Sequence, residues 1–229
     1  MTASTTSIPN DNDNDTNDND NVTNDNVTNG NGAGLPDLRP QLARAQHWVE
    51  TLIAGVAADQ LDNPTPCDEF DVRTLIGHLY TGARRTEAMA KGFDARTVPF
   101  ISDLPDADLA AGYRDLIEAS QRSWADADLT APVSAPWGSA PGAVALGLYL
   151  QEGLTHGWDL AVATGQPSEA DPDLAEAALT AGLKALPAEP RGGNIPFGPV
   201  IESAPGATPT ERLVNWTGRR TTGRRVEGA

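Results

Sequence analysis

The chain is 229 residues long, enough for one domain with small appendages, and carries 32 acidic against 16 basic residues. A net charge of −16 argues against a nucleic-acid duplex as the main partner, since phosphate binding needs a basic surface, and gives no attraction to an anionic membrane. The single cysteine, Cys67, can form no intrachain disulfide, and no apolar run approaches the roughly 18 residues of a membrane span.

The N-terminus has neither a basic n-region nor an apolar h-region, so no signal peptide is expected and the cytoplasm is the default location. Residues 1–34 are almost wholly Thr, Ser, Asn, Asp and Gly, with six aspartates and no base. Such a segment cannot bury enough apolar area to offset its ordering entropy, and we expect disorder. Its alternation from Asp11 to Asp15 lacks the glycine and the glutamate of a calcium loop.

From Leu38 the pattern turns helical. The first helix is expected over 38–56, capped by Asp37, with Leu42, Ala45, Val49, Leu52 and Ile53 on its apolar face. After a loop through Cys67, Asp71 caps a second helix over 72–91, with Leu75, Ile76, Leu79 and Ala83 inward. A third is expected over 105–125, and residues 131–141 read as loop. The fourth, 142–164, is the most apolar and should lie deepest. Its glycines at 142, 147, 153 and 157 each cost roughly 1 kcal/mol of helix propensity, in exchange for close backbone approach or room for a ligand. Asp171-Pro172 opens a fifth helix to about Leu186. Beyond Pro187 the chain is rich in Pro and Gly, and little regular structure is expected. The expected fold is all-α: a four-helix bundle with an additional C-terminal helix and an irregular C-terminal wrap. Its parts are a tail over 1–34, a bundle over 35–188 and an extension over 189–229.

Two of the three histidines sit in apolar helical sequence. His78 lies in the second helix; in the fourth, Glu152 precedes His156 by four residues, so the two share one face. With His78 delivered by another helix, two imidazoles and a carboxylate make a metal site with open positions. Such ligands favour Zn(II), with Ni(II), Fe(II) or Mn(II) as alternatives. The competing reading is structural: the histidines are core residues, and Glu152 pairs with Arg84 or Arg85. Asp159, three residues after His156, either accepts the other ring N–H or lies at the surface. His47 falls at the edge of an apolar face, Cys67 reads as a small buried residue or a thiol ligand, and Arg84-Arg85 as a solvated face or a grip on an anionic substrate.

Asn63-Pro64-Thr65-Pro66-Cys67, Asp71-Val72-Arg73 and Gly77-His78-Leu79 resemble the N-terminal signature of mycothiol-dependent maleylpyruvate isomerase-like proteins. These belong to the DinB/YfiT-like superfamily of metal-binding four-helix bundles. The stretch from Glu152 to Leu160 is similar to the second metal motif of that family, and the sequence from Phe197 to Arg219 to an actinobacterial branch described only as metal-binding. The resemblance covers roughly residues 36–220. It implies His78, Glu152 and His156 as the protein ligands, and a low-molecular-weight thiol such as mycothiol or bacillithiol as cosubstrate. Two departures stand out. The isomerase carries a further α/β domain, whereas about 40 residues follow the fifth helix here, and Phe70 stands where many relatives have tryptophan.

Three functions follow as expectations. The first is a metal-dependent transferase or isomerase in which the thiol meets an electrophilic substrate and Arg84 or Arg85 orients a carboxylate. The second is a metal-binding regulatory or interaction module without catalysis, and the third a bundle with no metal. Related bundles form homodimers through helix faces, but the sequence singles out no such face.

Overall fold

Side-chain caps at Asp71, Asp108 and Thr208 set where three of the helices begin in the computed structural model, which describes residues 34, 36–106, 108–193, 195 and 197–221. Apart from Gly34, the tail expected to be disordered, with its Asp/Asn alternation, lies outside the described residues. Among the described residues the helices are α1 (Arg39–Ala54), α2 (Val72–Ala90), α3 (Leu109–Trp124), α4 (Gly142–Thr164), α5 (Pro172–Ala185) and α6 (Pro209–Trp216).

The Asp71 side chain accepts the Thr74 N–H at 2.8 Å, so α2 starts where the sequence places it. α3 begins at Leu109, four residues later than expected, because Asp108 accepts from the Ala111 N–H at 3.0 Å and caps there. Asp37 stands one residue outside the N-cap of α1; it accepts the Arg39 N–H at 3.0 Å and grips the Arg39 guanidinium at 2.6 Å. α4 occupies the expected span and ends on Gly165 in the left-handed conformation, with φ of 70°. Pro172 opens α5 as expected, but Asp171 makes no side-chain cap; Arg44 takes its carboxylate at 2.8 Å.

One expectation is corrected and a second is made specific. Residues 131–141 are not plain loop: β1 (Pro132–Ala135) and β2 (Gly138–Pro141) pair antiparallel around a two-residue turn at Pro136-Trp137. The segment after Pro187, expected to hold little regular structure, carries one short helix among the described residues. Thr208 and Glu211 form a reciprocal capping box, at 3.1 and 2.9 Å, that starts α6. Burial of Leu213 and Val214 then holds α6 against α4 and α5.

α1 and α2 each pack against both α3 and α4, so α1 faces α2 across one diagonal of the bundle and α3 faces α4 across the other. α5 covers the outside of α4, which is thereby enclosed by α1, α2, α5 and α6. This explains the nearly continuous apolar sequence of α4, whose Leu146, Leu150, Leu154 and Leu160 are fully buried. No helix among the described residues is long and apolar enough to cross a membrane.

Candidate metal centre

Because α2 and α4 are neighbours, His78 faces Glu152 and His156. His78 Nε2 lies 3.0 Å from Glu152 Oε1, and the rings of His78 and His156 meet edge to face with centroids 5.1 Å apart. One donor atom from each of the three residues lies within 4.8 Å of the other two. Ligands at zinc distances of about 2.0–2.1 Å in a tetrahedron stand ~3.3 Å apart, so this set fits one divalent ion.

Both rings are aimed by their other nitrogen. His78 Nδ1 donates to the Phe100 carbonyl at 3.2 Å, which leaves Nε2 for the site. Gly77 makes that contact reachable. A Cβ there would sit 2.8 Å from the Ser102 carbonyl oxygen, so the chain at 100–102 closes onto α2 only against glycine. His156 Nδ1 lies 3.1 Å from Asp159 Oδ2, and Asp159 is locked by Arg219 at 2.8 Å. Asp159 is fully buried, so it is an inward partner and not a surface residue.

Burial works to lower the pKa of His78, but the Glu152 carboxylate and the Phe100 carbonyl outweigh it, and the net shift is upward. Burial would raise Glu152, but bonding to His78 and the charges around it bring its carboxyl below the usual range. The two ring nitrogens of His78 thus face two acceptors, the Phe100 carbonyl and the Glu152 carboxylate, and a metal ion at Nε2 would take the place of a ring proton there. Burial lowers His156 against the pull of Asp159, favouring the neutral, ligating imidazole. Asp159 is raised by burial but lowered more by Arg219 and His156, so it stays ionised.

The structure brings together His78, Glu152, His156 and Asp159, and adds Arg85 at the edge. The Arg85 guanidinium lies 5.8 Å from the centroid of the Phe100 ring, and that ring is 4.9 Å from His78. Arg84 points to solvent and takes no part. The pairing of Glu152 with an arginine is not found; its partner is His78. His47 is exposed on α1 and pairs with Glu50 at 3.1 Å, away from the site. Cys67 lies near His156 and Asp159 and forms a second candidate donor group with them. That group fits less well: Asp159 is already held by Arg219, and burial pushes the Cys67 thiol up.

Three participants escaped the sequence reading. A buried aspartate on the deepest helix demands a cation, which was the signal for Arg219. The Phe100 carbonyl gives no sequence signal. Phe70, at 5.2 Å from His78 and 6.3 Å from His156, packs on both rings where the sequence offered only a substitution. Beside His78 and Glu152 the bundle leaves a cavity of about 30 Å³, bordered by Gln46, Tyr113, Tyr149 and Gly153. That is room for a water or two, not for a whole cosubstrate.

Comparison with known proteins gives the same answer as the paired motifs on α2 and α4. Residues 42–161, spanning α1 to most of α4, match the model of the mycothiol maleylpyruvate isomerase N-terminal domain. Two Mycobacterium tuberculosis proteins, uncharacterized protein MT0763 of strain CDC 1551 and uncharacterized protein Rv0738 of strain H37Rv, are each 34% identical over 176 residues. The alignment covers 77% of this chain and 94% of each relative. No solved structure matches. With an all-α bundle and this match over more than half its length, the chain belongs to the mycothiol maleylpyruvate isomerase N-terminal domain family.

Proposed function

We propose that the protein is a cytoplasmic divalent-metal protein that activates a low-molecular-weight thiol for transfer to, or isomerisation of, an electrophilic substrate. The observation that carries this reading is the convergence of His78, Glu152 and His156, with both imidazoles held by their Nδ1 atoms, which leaves Nε2 as the nitrogen that would ligate. Two nitrogens and one carboxylate oxygen favour Zn(II) over Ni(II), Fe(II) or Mn(II), and three protein ligands leave a position open. A divalent ion there lowers the pKa of a coordinated thiol, supplying the nucleophilic thiolate at neutral pH.

The residues of the chain do the rest. Asp159 keeps a proton on His156 Nδ1 and fixes its ring; the Phe100 carbonyl does the same for His78. Phe70 and Phe100 exclude water from the ring faces. The small cavity admits the sulfur end of a thiol and leaves the remainder of the molecule outside.

Elemental analysis of tag-free protein tests the reading. About one equivalent of zinc or another divalent metal is expected in wild type and none in His156→Ala or Glu152→Ala. Wild type that lacks metal and takes none up on reconstitution would sink the proposal. Metal that is retained but leaves the ionisation of an added thiol unchanged would favour the interaction module instead.

A further inference from the structure

A second cavity, of about 290 Å³, lies where the first half of α1 meets the C-terminal end of α3. It is far larger than the cavity of about 30 Å³ beside His78 and Glu152, and Leu42 and Gln46 border both. Next to them the Thr86 hydroxyl, on the metal side, meets the Ser120 hydroxyl, on the far side, at 2.9 Å. Polar side chains thus stand between the two spaces.

Polar groups inside a helical bundle are costly unless each finds a partner. Here the partnering is incomplete. Gln121 Nε2 donates to Gln46 Oε1 at 3.1 Å, which engages one end of each carboxamide. The other ends, Gln46 Nε2 and Gln121 Oε1, meet no protein group among the described residues. Gln46 is only 6% exposed, so its amide is served by the cavity it borders and not by bulk water.

The charge on the walls is as informative as their polarity. None of the residues around the cavity is an acid, although the chain carries 32. The cation on the wall, Arg39, is already matched by Asp37 at 2.6 Å and by the carbonyls of Trp124 and Ala125 at 2.9 and 2.8 Å. An ion entering would give up its hydration with no opposite charge to replace it. An uncharged molecule avoids that cost, and a carboxamide or hydroxyl on it finds one donor and one acceptor. Trp124 has its indole N–H bonded to the Thr86 carbonyl at 2.8 Å and contributes apolar ring surface.

We infer that the cavity between α1 and α3 is a binding site for an uncharged small molecule bearing a carboxamide or hydroxyl group, recognised by Gln46 and Gln121. Because Gln46 also borders the cavity beside Glu152, a ligand bonded to it sits one side chain away from that space. The inference goes beyond the thiol-activation reading and does not depend on it, since the site exists without a metal.

Metal-free, isotope-labelled full-length protein is titrated in the NMR spectrometer with three ring compounds of similar size: benzamide, benzoate and benzylammonium. Benzamide should bind saturably, about ten-fold or more tightly than either ion, and shift the side-chain amide signals of Gln46 and Gln121. Gln46→Leu removes the unmatched donor and should weaken benzamide about ten-fold. Ala43→Trp fills the cavity from α1 and should abolish binding; it carries the test alone if the leucine variant does not fold. Benzamide that binds folded wild type and variants alike, or no better than the two ions, overturns the inference. If the chain takes up no divalent ion while benzamide still separates wild type from the variants, the thiol-activation reading fails and this site stands.

Discussion

Each proposed imidazole ligand is aimed by an acceptor on its far nitrogen, and the two acceptors differ in kind. His78 relies on a backbone carbonyl that no side-chain substitution removes, whereas His156 relies on Asp159, itself held by Arg219. Arg219→Met strands a fully buried carboxylate, which should cost about 3–5 kcal/mol in urea denaturation. It should also weaken metal binding about 10–100-fold, because the His156 ring loses its fixed orientation. A variant within 1 kcal/mol of wild type, by the magnitude expected for an exposed pair, would show that the ion pair is dispensable. At this scale the i, i+4 spacing made Glu152 and His156 legible in sequence. Arg219 comes from beyond α6, and no local pattern joins it to residue 159.

α4 was legible to the residue because 23 residues of nearly unbroken apolar sequence admit one interpretation. α6 and the hairpin were not. Eight residues among prolines and glycines carry too little periodicity, and Pro132-Val133-Ser134-Ala135 lacks the apolar alternation of a strand. The α4 glycines answer differently from one another. A Cβ at Gly157 would lie 2.3 Å from the Trp48 ring, while at Gly153 it would meet nothing within 4 Å. Gly157→Ala should therefore destabilise by about 1–3 kcal/mol despite its better propensity, and Gly153→Ala should stabilise by up to about 1 kcal/mol. Thermal melts of the two should move in opposite directions; parallel shifts would refute this packing. For α2, bonding to Thr74 holds the Asp71 carboxyl below the usual carboxylate range. Its contribution is thus fully present above the unfolded value near ~3.9 and lost as pH falls through the lower folded value. Asp71→Ala should cost about 1 kcal/mol at pH 7, and the gap to wild type should shrink below pH ~3. Asn, which caps without titrating, should hold its stability there; a gap independent of pH would refute the cap.

Across the whole molecule, the proposed ligands come from α2 and α4, which α3 and the hairpin separate in sequence. An ion held by both helices binds the folded chain and not the unfolded one, so it should stabilise the fold by about 2.7 kcal/mol at 100 times its Kd. Chelation should then lower the melting temperature of wild type and leave His78→Ala unchanged; identical melts of wild type with and without chelator would count against a bound ion. The order of elements along the chain has one more consequence. The arginine that fastens Asp159 follows it by 60 residues. During synthesis α2 and α4 emerge and can pack while that fastener is still unmade. The His156 ring gains its final hold only after residue 219 has left the ribosome, so a polypeptide cut short before that point keeps both helices yet leaves the ring unfastened.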